Sequence, residues 1–170
     1  MKLQEIYDVL NEISPFELQE KWDNAGLLVG SFEDEINNIY ISIDLDEELL
    51  SKVEKNSLII THHPLIFSGL KRVNFDTYST KLLKELIKKD ISLISMHTNI
   101  DKTHLNRYVA EEILGFKIEN SKEFISYCDV NMSFNDLVKY VSSKLDLKTT
   151  NTVRCNDFIK KIAIVTGSGM

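Results

Sequence analysis

The residues best suited to chemistry are the four histidines, all of which lie between positions 62 and 104. His62 and His63 directly follow the apolar segment Ser57–Thr61 and precede Pro64. Because a residue before proline favours extended backbone, the two adjacent imidazoles are expected to point in different directions. Such a pair is an awkward ligand set for one metal ion but a natural one for two neighbouring ions.

A second polar group follows the next predicted strand, Ile91–Met96, where His97 and Asp101 are found. Ligands of open parallel sheets bind at the carboxyl ends of the strands. If the two strands are neighbours, three histidines and one carboxylate meet at one rim of the sheet. Imidazole and carboxylate without thiolate suit zinc, manganese, iron, cobalt or nickel, and the pattern does not choose among them. From spacing alone, a structural role for these residues is an equally good interpretation.

The remaining histidine and the two cysteines have simpler interpretations. His104 lies at the start of a predicted helix, so solvation or a capping role is favoured over metal ligation. Cys128 and Cys155 have no activating partner nearby in sequence, which favours a core thiol or an inert surface thiol for each. Two cysteines are too few for a disulfide framework, so the expected compartment is the reducing cytoplasm.

Four residues near predicted strand ends are harder to assign. Trp22 is interpreted as a packing residue, whereas Asp23 and Asn24 fit either a turn or a functional site. Asp44 ends another predicted strand, where it could contact a ligand residue from behind or cap the helix that follows.

The elements that must position these residues alternate between helix and strand up to position 114. An amphipathic helix opens the chain before Pro15, and a short strand is predicted near Gly26. The further predicted strands are Ile39–Asp44, Ser57–Thr61 and Ile91–Met96, and the further predicted helices are Asp46–Lys55, Thr77–Lys89 and Thr103–Leu114. This alternation predicts an α/β fold with a mixed, mostly parallel sheet covered by helices.

The last third of the chain has a different pattern. Its predicted strands are Glu123–Val130 and Asn151–Phe158, with a helix over Phe134–Leu145 between them. Lys161–Val165 is predicted to be a buried strand that leads into a glycine loop, Thr166–Gly169, without a crossover helix after it. We therefore predict a metal-site domain over residues 1–120 and a second, similar α/β domain that starts at 121 and is truncated at 170. A complete chain that ends on an edge strand is the alternative.

The composition excludes several classes of protein. Hydrophobic residues make up 43% of the sequence and charged residues 27%, as in globular proteins. No apolar run approaches the roughly 20 residues that span a bilayer, and no secretory signal is expected. The formal net charge of −6 argues against nucleic-acid binding.

Three motifs of this sequence, in this order, resemble the GTP cyclohydrolase 1 type 2 homologue family, also called the Nif-three-like family. They are Trp22–Gly30, Thr61–Phe67 and His97–Asp101, and Val165–Gly169 is similar to the family's next landmark. The resemblance covers essentially the whole chain. It implies two similar α/β domains that assemble into a toroidal homohexamer, with a dinuclear metal site facing the central cavity.

The resemblance also implies roles for individual residues. His62, His63 and Asp101 match the family's metal ligands, while His97 matches a position beside them, from which it would orient a ligand or shuttle a proton. The family completes its site with a histidine and a bridging glutamate from a motif that would lie beyond residue 170. The segment after Asp101 departs from the family, because it is shorter than the usual glycine-containing loop and carries His104.

The function implied by the resemblance is that of a metal-dependent hydrolase acting on GTP or a related nucleotide through a metal-activated water. Attack on the imidazole carbon of the purine would open the ring and release formate. The alternative is a non-enzymatic, metal-binding hexameric scaffold that binds a protein partner, which a coordinatively closed site would favour. The expected cofactor is a divalent transition metal, two ions per complete chain. The expected partners are other copies of the chain and a nucleotide, but neither nucleic acid nor a membrane.

Overall fold

A computed structural model describes residues 1–167 of the chain. The end of the predicted glycine loop, Ser168 and Gly169, lies outside the described residues. The chain divides into two compact units, of which the first comprises Met1–Ile100 and the second starts at Asp101. Within the described range, every helix is too short or too polar to cross a bilayer.

The elements of the first unit agree closely with the predicted ones. In chain order they are α1 (Leu3–Ile13), a 3₁₀ turn (Phe16–Leu18), β1 (Gly26–Val29), β2 (Asn38–Ser42), α2 (Glu47–Lys52), β3 (Ser57–Thr61), α3 (Tyr78–Lys88), β4 (Ser92–Ser95) and α4 (Thr98–Ile100). The predicted bounds of β3 are confirmed at both ends. Helix α1 starts with the Glu5 carboxylate accepting a hydrogen bond from the Lys2 amide (3.0 Å), and it stops before Pro15.

The strands of the first unit form one sheet in the order β1-β4-β3-β2. Strands β2, β3 and β4 run parallel, and β1 is antiparallel to β4. The predicted mixed, mostly parallel sheet is therefore confirmed. The register pairs Thr61 with Ser42 and with Ser95, and Ser95 with Gly26. Consequently the carboxyl ends of the three parallel strands and the amino end of β1 lie at one end of the sheet.

Helices cover both faces of this sheet, and strand β3 is buried at all five of its positions. The layer on the α1 side consists of Leu3, Ile6, Phe16, Ile36, Leu58, Ile60, Ile94 and Met96. The layer on the side of α2 and α3 consists of Leu45, Leu50, Val53, Ile59, Leu82, Leu86, Ile91 and Leu93. Covering on both faces explains why the β3 sequence is a continuous apolar run rather than an alternating one.

Strand β2 lies at the edge of the sheet and is only partly covered. Its register places Ile39 and Ile41 on the same face as Leu58 and Ile60 of β3. Yet Ile41 is 80% exposed, and both Ile39 and Ile43 are also exposed. These three isoleucines, here called the β2 face, extend the α1-side layer beyond the part that the helix covers.

The second unit combines short helical segments with an antiparallel sheet in the order β5-β6-β7. Its elements are two π-helical segments (Asp101–Leu105 and Val109–Ile113) on either side of α5 (Asn106–Tyr108), followed by β5 (Ile118–Lys122), β6 (Ile125–Ser133), α6 (Phe134–Lys144) and β7 (Phe158–Ile164). Helix α6 is capped by Ser133, whose hydroxyl accepts a hydrogen bond from the Asp136 amide (3.2 Å).

Two predictions in this unit are wrong, one about the position of a strand and one about the burial of a strand. Residues 151–157, predicted as a strand, form none, and the strand begins at Phe158 instead. The predicted buried strand Lys161–Val165 corresponds to the second half of β7, whose residues are exposed or half-buried. The physical reason is that positions 161–164 alternate between exposed and half-buried, as in an antiparallel sheet with one face towards solvent. Among the described strands, β7 pairs with β6 alone.

Candidate metal centre

Each strand of the first sheet contributes a polar residue to the same end of the sheet. Asp23 precedes β1, Asp44 follows β2, His62 and His63 follow β3, and His97 follows β4. The carboxyl ends of parallel strands are where open α/β sheets bind ligands. Because β1 is antiparallel, its preceding loop, rather than its following one, comes to this end.

Hydrogen bonds hold the strand ends in place. The amide of His62 donates to the carbonyl of Ser42 (3.2 Å), and the amide of Met96 donates to the carbonyl of Thr61 (2.9 Å). The hydroxyls of Thr61 and Ser95, both buried, bond to each other across β3 and β4 (2.7 Å). The backbone that carries the histidines is therefore fixed by the sheet itself.

The expected meeting of three histidines at one rim is confirmed. His62, His63 and His97, here called the histidine cluster, place one nitrogen each within 4.8 Å of the others. Their ring centroids lie 4.9 to 5.7 Å apart. Two imidazole nitrogens on one ion, each about 2.1 Å from it, are at most about 4.2 Å apart. Small side-chain movements would therefore bring all three onto a metal ion, so the cluster could hold one.

The other nitrogen of each imidazole is already engaged with an oxygen. The acceptors at Nδ1 are the Met96 carbonyl for His62 (3.0 Å), Asp44 for His63 (2.7 Å) and Asp23 for His97 (2.8 Å). Carbonyl and carboxylate oxygens only accept, so Nδ1 carries a hydrogen in each ring; in the neutral form of such a ring, Nε2 carries the lone pair. Metal-binding histidines in proteins are oriented in this way.

Asp23 contacts the histidine cluster, in accord with one of the two interpretations left by the sequence. Its side chain is fully buried, and it accepts hydrogen bonds from His97, from the Asn24 amide (2.7 Å) and from both the amide (3.0 Å) and the hydroxyl of Thr98. Burial raises the pKa of a carboxyl, but the hydrogen bonds from Thr98 and His97 outweigh it and hold the pKa of Asp23 below its ordinary value. Asp23 therefore faces His97 as a carboxylate.

Two roles were considered for Asp44, contact with a ligand residue and capping of the next helix. The structure gives the first to Asp44 and the second to Asp46. Asp44 accepts a hydrogen bond from His63, in a pair of which both side chains are at least half exposed. Asp46 is the residue that caps α2, since its carboxylate accepts from the Leu49 amide (2.7 Å). Asp44 thus contacts a candidate ligand from behind.

Trp22 is half exposed rather than packed in the core. Its ring lies against Phe67, with centroids 5.9 Å apart, and edge-on to His97, with centroids 6.3 Å apart. Asn24, the third residue of the Trp-Asp-Asn motif, donates its side-chain amide to the Ile66 carbonyl (2.5 Å). The motif therefore lies beside the histidine cluster, and its hydrogen bond to Ile66 holds the segment that follows His63 in place.

His97 was predicted to lie beside the ligands, and the structure places its ring within the cluster as a candidate ligand. Asp101 is the first residue of the second unit, where it is buried in a π-helical segment, and its carbonyl accepts from the Asn106 side chain (3.2 Å). Such segments are frequent at functional sites. The ligand role of Asp101 stays a prediction. His104 is exposed and bonds to the Thr103 hydroxyl (2.8 Å), in accord with the solvated role favoured for it.

Comparison with known proteins finds relatives that cover nearly the whole chain. A relative from Campylobacter jejuni named GTP cyclohydrolase 1 type 2 homolog is 52% identical over 170 residues, covering 99% of this chain and 70% of the relative. A GTP cyclohydrolase 1 type 2 from Helicobacter pylori is 43% identical over 169 residues, covering 98% of this chain and 69% of the relative.

Solved structures share the fold along nearly the whole chain. The crystal structure of a Staphylococcus aureus protein superposes with a TM-score of 0.85 at 26% identity, covering 100% of this chain and 74% of that one. Reduced HcgD from Methanocaldococcus jannaschii superposes with a TM-score of 0.80 at 29% identity, covering 99% of this chain and 71% of that one. The family model for Duf34/NIF3 matches residues 1–170, which confirms the resemblance seen in the motifs. The chain belongs to the Duf34/NIF3 (NGG1p interacting factor 3) family.

Proposed function

We propose that this protein is a metal-dependent hydrolase that acts on GTP or a related nucleotide. The observation that carries the proposal is the histidine cluster, in which an oxygen acceptor holds Nδ1 of each ring and so presents Nε2 as a ligand. The names of the relatives from Campylobacter jejuni and Helicobacter pylori support the nucleotide as substrate.

In this proposal His62, His63 and His97 hold a divalent transition metal, and Asp101 is a further ligand of a site that takes two ions. A bound transition metal supplies Lewis acidity, which makes water nucleophilic at neutral pH. Asp23 and Asp44 keep their imidazole partners in the tautomer that binds metal. The carboxylate of Asp23, buried and anionic, also stabilises positive charge next to His97.

Exposure of the cluster favours an enzyme over a closed scaffold site. The His63 side chain is 52% exposed. A catalytic metal keeps one coordination position for water or substrate, whereas a structural metal is enclosed by protein ligands. An open rim formed by strand ends leaves room for such a position.

The proposal is tested by elemental mass spectrometry and GTP turnover on the same preparations. We expect His63→Ala to lower bound metal at least tenfold and to abolish turnover, because one ligand is lost. His104→Ala is the matched control, since His104 is exposed and outside the cluster, and it should keep both properties. Bound metal without turnover of GTP or other nucleotides would favour the scaffold. No metal in the unmodified protein after reconstitution would mean that the histidines are structural.

We also propose that the protein self-associates through the β2 face, as a step towards the hexamer that the family resemblance implies. Strand β2 is an edge strand with neither a charged residue nor a proline, although natural edge strands are usually protected by such residues. Its exposed isoleucines provide apolar area beside the unpaired edge. A second copy of the chain offers the same strand and the same apolar surface, so two copies can pair symmetrically.

Self-association is tested by light scattering on variants of exposed residues. Ile41→Lys places a charge on the β2 face and is expected to reduce the mass of the assembly. Val153→Lys is the control, because Val153 is 85% exposed and lies in a loop of the second unit. Equal masses for both variants and the unmodified protein would mean that another surface makes the assembly.

We place the protein in the cytoplasm on the state of its cysteines. Cys128 and Cys155 are both free thiols, the first buried and the second exposed. Burial raises the pKa of the Cys128 thiol, with Glu111 adding to the effect, so this thiol is expected to stay protonated. An exposed free thiol such as Cys155 is typical of a reducing compartment.

A further inference from the structure

Two large aromatic side chains lie half exposed beside the histidine cluster. Trp22 is 52% exposed and Phe67 is 50% exposed, and their rings are tilted by 43° with centroids 5.9 Å apart. Trp22 also meets His97 in a T-shaped arrangement, at a centroid distance of 6.3 Å. An aromatic ring stabilises a protein or a complex most when its apolar surface is buried. An exposed aromatic pair at a candidate site is therefore suited to be covered by a ligand.

The backbone that carries these rings is fastened although the rings are exposed. Next to Trp22, the amide of Asp23 donates to the Glu20 carbonyl (2.9 Å), and the Glu20 amide donates to the Thr98 hydroxyl (2.9 Å). Next to Phe67, the carbonyl of Ile66 accepts from Asn24. Hydrogen bonds around Asp23 and Asn24 therefore hold the backbone next to both aromatic residues, which lowers the ordering cost of ligand binding.

We propose that Trp22 and Phe67 form a stacking surface for a planar heteroaromatic ring, namely the base of the nucleotide; this inference rests on the proposed function. The indole of Trp22 stacks with any base, because every base has a π face. Aromatic pairs have ring centroids about 4.5 to 7 Å apart, and the centroid distance of 6.3 Å from Trp22 to His97 lies in this range. In this proposal a base on the indole therefore lies beside the histidine cluster.

The tilt between the two rings fits one stacking and one edge contact. A flat guest on the face of Trp22 meets Phe67 at an angle, as aromatic pairs prefer when they do not stack. A phosphate group gains nothing from either ring. In this proposal Trp22 and Phe67 therefore bind the base of the nucleotide, and other residues bind its phosphates.

Trp22 is the only tryptophan of the chain, so its fluorescence reports on this surface alone. The titration uses guanosine 5′-monophosphate and, as the matched probe without a base, ribose 5-phosphate. We expect saturable quenching by the first and no change with the second. Equal quenching by both probes would overturn the proposal in favour of a phosphate site.

Variants separate stacking from simple apolar contact. Trp22→Leu and Phe67→Leu should weaken binding of guanosine 5′-monophosphate, measured by calorimetry, about 5- to 100-fold for the first and less for the second. Trp22→Tyr should restore most of the affinity, because it restores a π face. Phe158→Leu is the control, since Phe158 is equally exposed but lies in the second unit. Binding by Trp22→Leu at the affinity of the unmodified protein would overturn the proposal.

Measuring the metal content of the same variants distinguishes a failure of this proposal from a failure of the proposed function. None of the aromatic variants removes a ligand nitrogen, so each should bind as much metal as the unmodified protein. A protein that holds metal and turns over nucleotide, but shows no loss with Trp22→Leu, disproves the stacking surface alone. A protein that binds the base but holds no metal disproves the hydrolase alone.

Discussion

The two ends of the first sheet each carry a carboxylate that accepts a hydrogen bond from a hydroxyl, but only one end carries imidazoles. At the carboxyl end of the parallel strands, Asp23 accepts from Thr98 and also from His97. At the opposite end, Asp34 accepts from the Ser92 hydroxyl (2.9 Å) and from the Ser31 amide (2.7 Å). A carboxylate bound to imidazole prepares a metal ligand, whereas one bound to a hydroxyl and an amide only fastens a loop.

The opposite end also has a cavity of about 460 Å³. Its lining residues are Val29, Gly30, Asp34, Glu35, Ile36, Asn56, Leu86, Ile87, Asp90, Ile91 and Ser92. Asp34 bonds within the protein, and Glu35 pairs with the N-terminal amine (3.4 Å). The comparison shows that the cavity and the histidine cluster lie at opposite ends of the sheet, so concavity and candidate ligands do not coincide in this fold.

The largest expected effect is on stability, and it tests whether the end of the sheet that contains Asp34 has only a structural role. Gly30 has a φ of +109°, and a Cβ there would lie 2.5 Å from the Ser92 hydroxyl. Gly30→Ala should therefore lower the free energy of unfolding in urea by about 3 kcal/mol, while the folded protein keeps its metal. Gly69→Ala is the control, because nothing lies within 4 Å of its added Cβ. Metal loss in folded Gly30→Ala would show that the two ends are coupled.

An intermediate effect is expected from exchanging each carboxylate for an amide. Asp23→Asn should weaken metal affinity about 10- to 100-fold, because His97 loses its anionic acceptor. Asp34→Asn should leave metal affinity within about twofold, and cost about 1 to 2 kcal/mol of stability. Competition with a chelating dye measures the first quantity and urea unfolding the second. The contrast between the two ends fails if both variants change metal affinity equally.

The smallest effect is expected at Asp44, within the carboxyl end itself. Its bond to His63 is exposed to solvent, so Asp44→Ala should weaken metal affinity only about three- to fivefold. Asp46→Ala removes the cap of α2 instead, and should cost about 1 kcal/mol of stability without changing metal affinity. A larger loss of affinity with Asp44→Ala than with Asp23→Asn would reverse the order of the two carboxylates.

The histidine cluster could be predicted because its position follows from local patterns. Ser57–Thr61 and Ile91–Met96 are short apolar runs separated by a helix, which predicts parallel neighbours with aligned carboxyl ends. The structure pairs Thr61 with Ser95, so the residues that follow each strand meet.

The role of Asp23 could not be predicted in the same way. It bonds to His97, 74 residues further along the chain, only because β1 pairs antiparallel with β4. No local pattern encodes that pairing. The Trp-Asp-Asn sequence before a strand is a signal for a turn as much as for a site.

Strand β5 was missed for a related reason. Its sequence, Ile118–Lys122, contains a single apolar residue, and the turn to β6 places Glu123 at a φ of +51°. Hairpin turns are usually recognised by glycine or asparagine at such positions. Pairing with β6, rather than composition, makes this segment a strand.

The complete burial of β3 has an evolutionary consequence. Because side chains alternate along a strand, adding or deleting one residue within Ser57–Thr61 would exchange the two covered faces and reverse the directions of His62 and His63. Selection can therefore replace individual side chains in this strand but cannot change its length. The exposed segment at 68–77, between Phe67 and α3, carries no such constraint, so we expect changes of length to be tolerated there.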